Sequence, residues 1–182
     1  KILTVQLRFA CPPRDLDYSQ GKELPWRLQA NISGGGYFYD LAPHQIDILQ
    51  DIFGVITRAH GYCGNRAHLY EVEDTVNAVF QFESGLNGCG SWCFTAHESA
   101  KEDRIEVVGD KGKLSFSVFD YPPIHLYLSD GVHEISVENP SYVQLPLIKS
   151  VVETLQGTGN CTTTSISATP TNWVMDRILG KI

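Results

Sequence analysis

The sequence predicts an α+β domain: a largely antiparallel, open sheet with helices on one face. Two patterns carry this reading. Short runs with a period of two in their apolar residues recur along the middle of the chain, and tight-turn residues join them, which means antiparallel pairing. Helical patterns fall early and late, so the helices are expected to share one face of the sheet. With 182 residues the chain is long enough to bury a substantial single core.

Each element follows from local pattern. Leu3, Val5, Leu7 and Phe9 alternate with Thr4, Gln6 and Arg8, a half-buried strand that Cys11-Pro12-Pro13 ends. A polar loop runs from there to about Trp26. The next helical pattern carries Leu41, Ile48, Leu49, Ile52 and Phe53 as its apolar stripe and stops at Gly54. Pro43 fits a first turn better than an interior, so the helix either starts near Tyr39 or begins at the glycines before it and bends. Ile56 to Tyr62 reads as a strand. Val76, Ala78, Phe80 and Phe82 form another, and Glu83-Ser84-Gly85 turns it into Leu86 to Phe94. Ile105 and Val107, the turn Gly109 to Gly112, and Leu114, Phe116 and Val118 make a further pair, broken by Tyr121-Pro122-Pro123. Ile124, Leu126 and Leu128 pair through Asp130-Gly131 with His133, Ile135 and Val137. Pro146 to Gln156 is an amphipathic helix with Leu147, Ile148, Val151, Val152 and Leu155 on one side. The last helix is expected to begin near Thr169-Pro170 and to stop at Gly180.

The segment most informative about function is Ser33 to Asp47, where Gly34-Gly35-Gly36 runs into a helical pattern carrying Asp40 and His44. At a spacing of four these two share one helix face, and Asp47 and Asp51 extend the stripe. Histidine exchanges protons near neutral pH. A carboxylate one turn away can orient the ring, favour its charged form or hold a substrate hydroxyl. Glycines without side chains allow backbone to approach a ligand closely. The same residues also fit a surface helix with a solvated acidic stripe. A metal shared by His44 and a carboxylate is a third reading, against which stands the lack of a second His or Cys at ligand spacing nearby. Arg27, beside Trp26 and ahead of the glycines, can reach a substrate hydroxyl or carboxylate, or can anchor the loop. Tyr37, directly after the glycines, is a candidate for lining the same pocket.

Trp26-Arg27, Gly34-Gly35-Gly36, Asp40, His44, Asp47 and Gly54 resemble the second domain of the Gfo/Idh/MocA oxidoreductases. The family pattern of three glycines, three residues, Asp, three residues, His, two residues, Asp is complete here. Ser167-Ala168 and Asn172 to Asp176 resemble the family's final helix. The resemblance implies a glyceraldehyde-3-phosphate-dehydrogenase-like C-terminal domain over residues 1–182. It implies a parent enzyme that transfers hydride between NAD or NADP and a sugar, polyol or related carbohydrate. His44 would be the acid/base, and Asp40 would hold the substrate or tune His44. It also implies a homo-oligomer formed through the open sheet face. The family's nucleotide-binding Gly-x-Gly-x-x-Gly and Glu-Lys-Pro motifs do not occur. The glycine run has a different spacing and opens no βαβ unit. The N-terminal Rossmann domain is therefore expected to lie outside this chain, leaving the domain inactive on its own. Two alternatives stand beside this: an NAD-dependent glycosidase of the same superfamily, and a non-catalytic binding module if the chain is complete.

Composition narrows the remaining classes. A net charge of −7 with no Lys/Arg cluster argues against a nucleic-acid partner. No apolar run is long enough for a membrane span. The five cysteines, Cys11, Cys63, Cys89, Cys93 and Cys161, do not follow a zinc spacing and read as reduced thiols of a cytoplasmic protein. His60, His68, His97, His125 and His133 read as surface or hydrogen-bonded polar residues rather than ligands.

Overall fold

A computed structural model describes residues 1–18 and 23–182. The polar loop expected before Trp26 lies partly outside the described residues, at 19–22. One eight-stranded sheet organises the chain: β1 (Ile2–Ala10), β2 (Ile56–Gly64), β3 (Thr75–Phe82), β4 (Asn87–Cys93), β5 (Glu102–Gly109), β6 (Lys113–Phe116), β7 (Ile124–Leu128) and β8 (Gly131–Ile135). Their spatial order is β2-β3-β4-β1-β5-β6-β7-β8. Consecutive strands pair antiparallel as their turns require. The departure is β1, which inserts between β4 and β5, parallel to the first and antiparallel to the second. The sheet is thus mixed, with one parallel pair among antiparallel ones. Nothing local marks that pair, because no turn joins β1 to either neighbour.

Alternation places Val5, Leu7 and Phe9 of β1 and Val76, Ala78, Phe80 and Phe82 of β3 on the buried face. Gly88 and Gly90 of β4 are on that face for a steric reason. A Cβ at Gly88 would stand 2.3 Å from the Phe80 ring, and one at Gly90 2.3 Å from the Trp92 ring. The two glycines make room for aromatic side chains that fill the core.

Helix α1 (Ala30–Ser33) is a single turn, α2 spans Tyr37–Phe53, α3 Leu145–Leu155 and α4 Ser165–Ile178. α2 and α4 pack together over the buried face. The fully buried side of α2 is Tyr37, Phe38, Ala42, Gln45, Ile46 and Leu49; of the expected stripe Leu41, Ile48 and Phe53 pack part-buried against the core and Ile52 departs from it. Ile52 is exposed, whereas polar Gln45 is fully buried because buried Trp92 and part-buried Asp103 satisfy it. α2 begins at the glycines, so Pro43 lies inside it. α4 also begins earlier than expected. Thr164 caps it, its hydroxyl accepting from the Ser167 N–H while the Ser167 hydroxyl accepts from the Thr164 N–H, and Pro170 falls in the interior.

α3 does not join the other helices on the sheet. Leu147, Ile148, Val151, Val152 and Leu155 are all exposed, and no residue of the helix is buried. Its amphipathic pattern is real, but nothing within the described residues covers its apolar side. The strand expected through Val118 stops at Phe116, because the Asp103 carboxylate captures the Val118 and Phe119 N–H groups.

Candidate functional site

The glycine run is pinned from several directions. Gly34 ends α1 with φ of +80°, a conformation that favours glycine. Its carbonyl accepts from Lys181 Nζ at 2.6 Å, and the same ammonium sits 4.3 Å over the Tyr39 ring. The Tyr39 hydroxyl donates to Asp176 of α4 at 2.6 Å. Gly36 caps α2, and its N–H donates to Glu73 Oε1 at 3.0 Å. Two of the three glycines face the protein itself. A Cβ at Gly35 would fall 2.3 Å from Tyr39, and one at Gly36 2.8 Å from Val72 and 3.0 Å from the Glu73 carbonyl. The close approach that Gly35 and Gly36 allow is to the protein's own side chains and backbone, whereas a Cβ at Gly34 would meet nothing within 4 Å.

Asp40 lies in the first turn of α2, where a carboxylate complements the helix dipole. Its Oδ2 accepts from Arg27 Nε at 2.8 Å. The Arg27 guanidinium stacks on Trp26, 4.6 Å from the ring. The structure therefore brings Arg27 and Asp40 together, and Asp40 pairs with Arg27 rather than with His44. The Nη groups of Arg27 and the second oxygen of Asp40 carry no hydrogen bond among the described residues.

His44 is one turn further on and exposed. Its ring stands edge-on to Phe119 at 5.8 Å. Among the described residues no hydrogen bond or ion pair ends on the imidazole. It lines a cleft of ≈ 480 Å³ between α2 and the start of α4, together with Asp47, Asp51, Thr162, Thr163 and Asn172. Asp47 is held in place across this cleft. The Thr171 hydroxyl donates to Asp47 Oδ1 at 3.0 Å and accepts from Gln50 Nε2 at 2.9 Å.

Tyr37 has a different neighbourhood from the other candidates. It is 2% exposed, its hydroxyl donates to buried Asp17 at 2.5 Å, and Arg14 stacks on its ring at 4.6 Å. Burial and the Asp17 bond push the phenol well above its ordinary range. It anchors the start of α2 and does not line the cleft. All five cysteines are free, and burial pushes the Cys11 thiol up to about 11.

Phe119, Gln45 and Thr171 belong to the site's surroundings but were not signalled by the motif. Gln45 falls at helical spacing from Phe38, Ala42 and Leu49, which could have placed it on the buried face. Phe119 sits in a loop, where pattern carries no such information.

Residues 1–115 match the family model described as the GFO/IDH/MocA C-terminal domain. The chain belongs to that family. The GFO/IDH/MocA assignment is accompanied by likeness to Oxidoreductase P35 of Formosa agariphila, 34% identical over 131 residues, 71% of this chain and 39% of that protein. A levoglucosan dehydrogenase solved with NADH and levoglucosan superposes with a TM-score of 0.81 at 17% identity, over 99% of this chain and 56% of that one. The aldose-aldose oxidoreductase of Caulobacter crescentus, complexed with glycerol, gives 0.79 at 17% identity, over 98% of this chain and 52% of that one. These two likenesses establish the fold. The chain spans about two fifths of the P35 sequence and little more than half of either solved chain.

Proposed function

We propose that this chain is the substrate-facing domain of an NAD(P)-dependent oxidoreductase acting on a sugar, polyol or related carbohydrate. The observation that carries the reading is the exposed, unpartnered His44 one helical turn from the Arg27–Asp40 pair, at the family's glycine-led motif. The names of the similar proteins support the substrate class: levoglucosan and glycerol accompany two of the related folds.

Tyr39, Val72 and Glu73 crowd Gly35 and Gly36, so those two positions offer no backbone cradle for a dinucleotide's phosphates. NAD or NADP would be held mainly by a nucleotide-binding domain ahead of this one, as the Rossmann domain is in the family, and the isolated domain would be inactive. When bound, a nicotinamide supplies the hydride acceptor. The present residues do the rest. His44 takes the proton from the substrate hydroxyl oxygen as the carbonyl forms, and returns it in the reverse direction. Asp40, with its free oxygen, accepts from a neighbouring substrate hydroxyl. Arg27 fixes that carboxylate through Nε and keeps its Nη donors for the substrate. The outward sheet face, with Tyr62 and Val79 exposed, would join subunits of a cytoplasmic homo-oligomer.

The test uses the full-length protein against a panel of sugars and polyols, following formation of reduced nicotinamide, with His44→Ala alongside. A loss of about a hundredfold or more in the variant supports His44 as acid/base. An unchanged rate overturns it. Glycoside cleavage without net cofactor reduction would move the enzyme to the NAD-dependent glycosidases.

A further inference from the structure

We propose that Phe119, held in place by Asp103, is the positioning residue for the His44 ring. This rests on His44 being the acid/base.

The geometry runs as an unbroken series of contacts from the core to the imidazole. Trp92, 1% exposed, donates its indole N–H to Gln45 Oε1 at 2.7 Å. Gln45, with no exposed surface, donates through Nε2 to Asp103 Oδ1 at 3.0 Å. The other oxygen of Asp103 accepts from the Ser117 hydroxyl, from the Val118 N–H at 2.8 Å and from the Phe119 N–H at 2.6 Å. One carboxylate thus fixes the loop between β6 and β7 through charge-assisted bonds, which are the stronger kind. The loop delivers Phe119 between two rings. It stands edge-on to Phe9 of β1 at 5.4 Å and edge-on to His44 at 5.8 Å. Such perpendicular aromatic contacts have a preferred geometry, so they restrict which way a ring can turn.

His44 needs a restraint of this kind. No carboxylate or carbonyl among the described residues bonds to either ring nitrogen, so hydrogen bonding does not set the plane of the imidazole. The edge contact with Phe119 does so, leaving both nitrogens free for substrate. Because proton transfer depends on hydrogen-bond geometry, a ring free to rotate would be less effective without any change in its chemistry.

The experiment has two arms. In the first, this chain is labelled at histidine and the His44 ring resonances are assigned by their loss in His44→Asn. Phe119→Leu is expected to shift them, Phe119→Tyr to keep them near their original positions, and Asp103→Asn to shift them in the same direction as Phe119→Leu. The double variant Phe119→Leu/Asp103→Asn is expected to move them no further than Phe119→Leu alone, since the carboxylate acts through the phenyl ring. Resonances unmoved in Asp103→Asn, or shifts that simply add in the double variant, would overturn the proposal. If Asp103→Asn does not fold, Ser117→Ala removes one of the same bonds and takes its place. In the second arm, the full-length enzyme carrying Phe119→Leu should lose about tenfold to a hundredfold in kcat with KM little changed. A raised KM with unchanged kcat would make Phe119 a binding surface instead. A fully active His44→Ala would remove the acid/base reading while leaving the ring contact measured in the first arm intact, so the two failures are distinguishable.

Discussion

Replacing Gln45 by Leu removes the polar link at the centre of the α2 face while nearly conserving volume. In the folded chain Gln45 is fully buried, accepts from the Trp92 indole at 2.7 Å and donates to Asp103 at 3.0 Å. Leucine leaves the Trp92 N–H in the core with no acceptor. A buried donor without a partner costs about 1–3 kcal/mol. Asp103 keeps its loop donors, so it remains a satisfied carboxylate and adds about 1 kcal/mol for the single bond lost. The gain in apolar burial from Leu offsets part of this, which puts the expected loss at about 2–3 kcal/mol. Urea unfolding of the two chains, followed by the fluorescence of the tryptophans, measures it directly. A change below about 0.5 kcal/mol would refute the reasoning, because it would mean that the indole finds another acceptor once Gln45 is gone. Gln45→Glu is the companion. A second carboxylate facing Asp103 should destabilise near neutral pH and recover as the pH falls.

Three further outcomes follow from the packing. Gly36→Ala should cost about 1–3 kcal/mol in the same urea assay, since its Cβ would press on Val72 and on the fixed Glu73 carbonyl; an unchanged midpoint would mean that the loop has room to move. Thr171→Val keeps the shape but removes the bonds to Asp47 and Gln50, and should lower stability by about 1–2 kcal/mol, with Asp47→Asn in the same background adding less than it does alone. Cys11 is raised from 9.0 to about 11 by burial, so its contribution is fully present below about pH 9 and is lost as the pH rises through about 11. Tyr37 and Tyr39 are raised by burial as well and add in the same direction. Melting temperature should therefore fall across this alkaline window, less steeply in Cys11→Ala, and a flat profile in the parent chain would contradict it.

The helix that carries Asp40 and His44 is legible because its information is local. Asp40 and His44 share a face at a spacing of four whatever else the chain does, and α2 does form over them. The hairpins were legible for the same reason: Glu83-Ser84-Gly85 and Asp130-Gly131 turn the chain between alternating runs, and the strands pair where the turns put them. What sequence alone misjudged involves partners distant along the chain. Periodicity puts Ile52 on the apolar stripe, yet Trp92 and Asp103, 47 and 58 residues away from Gln45, make Gln45 the better core residue. Nor does the triple glycine by itself show that Tyr39 and Val72 stand against Gly35 and Gly36, which only the folded chain reveals.

By itself, then, the sequence determined which segments become helix or strand and which side chains share the His44 face of α2, because backbone periodicity and turn chemistry act over a few residues. Tertiary structure decided the rest. It set β1 between β4 and β5, paired Asp40 with Arg27, left the apolar side of α3 uncovered among the described residues, and brought Phe119 of a distant loop against His44. Those contacts join residues whose separation carries no periodic signal. They are fixed by whichever packing satisfies the buried polar groups and fills the core together.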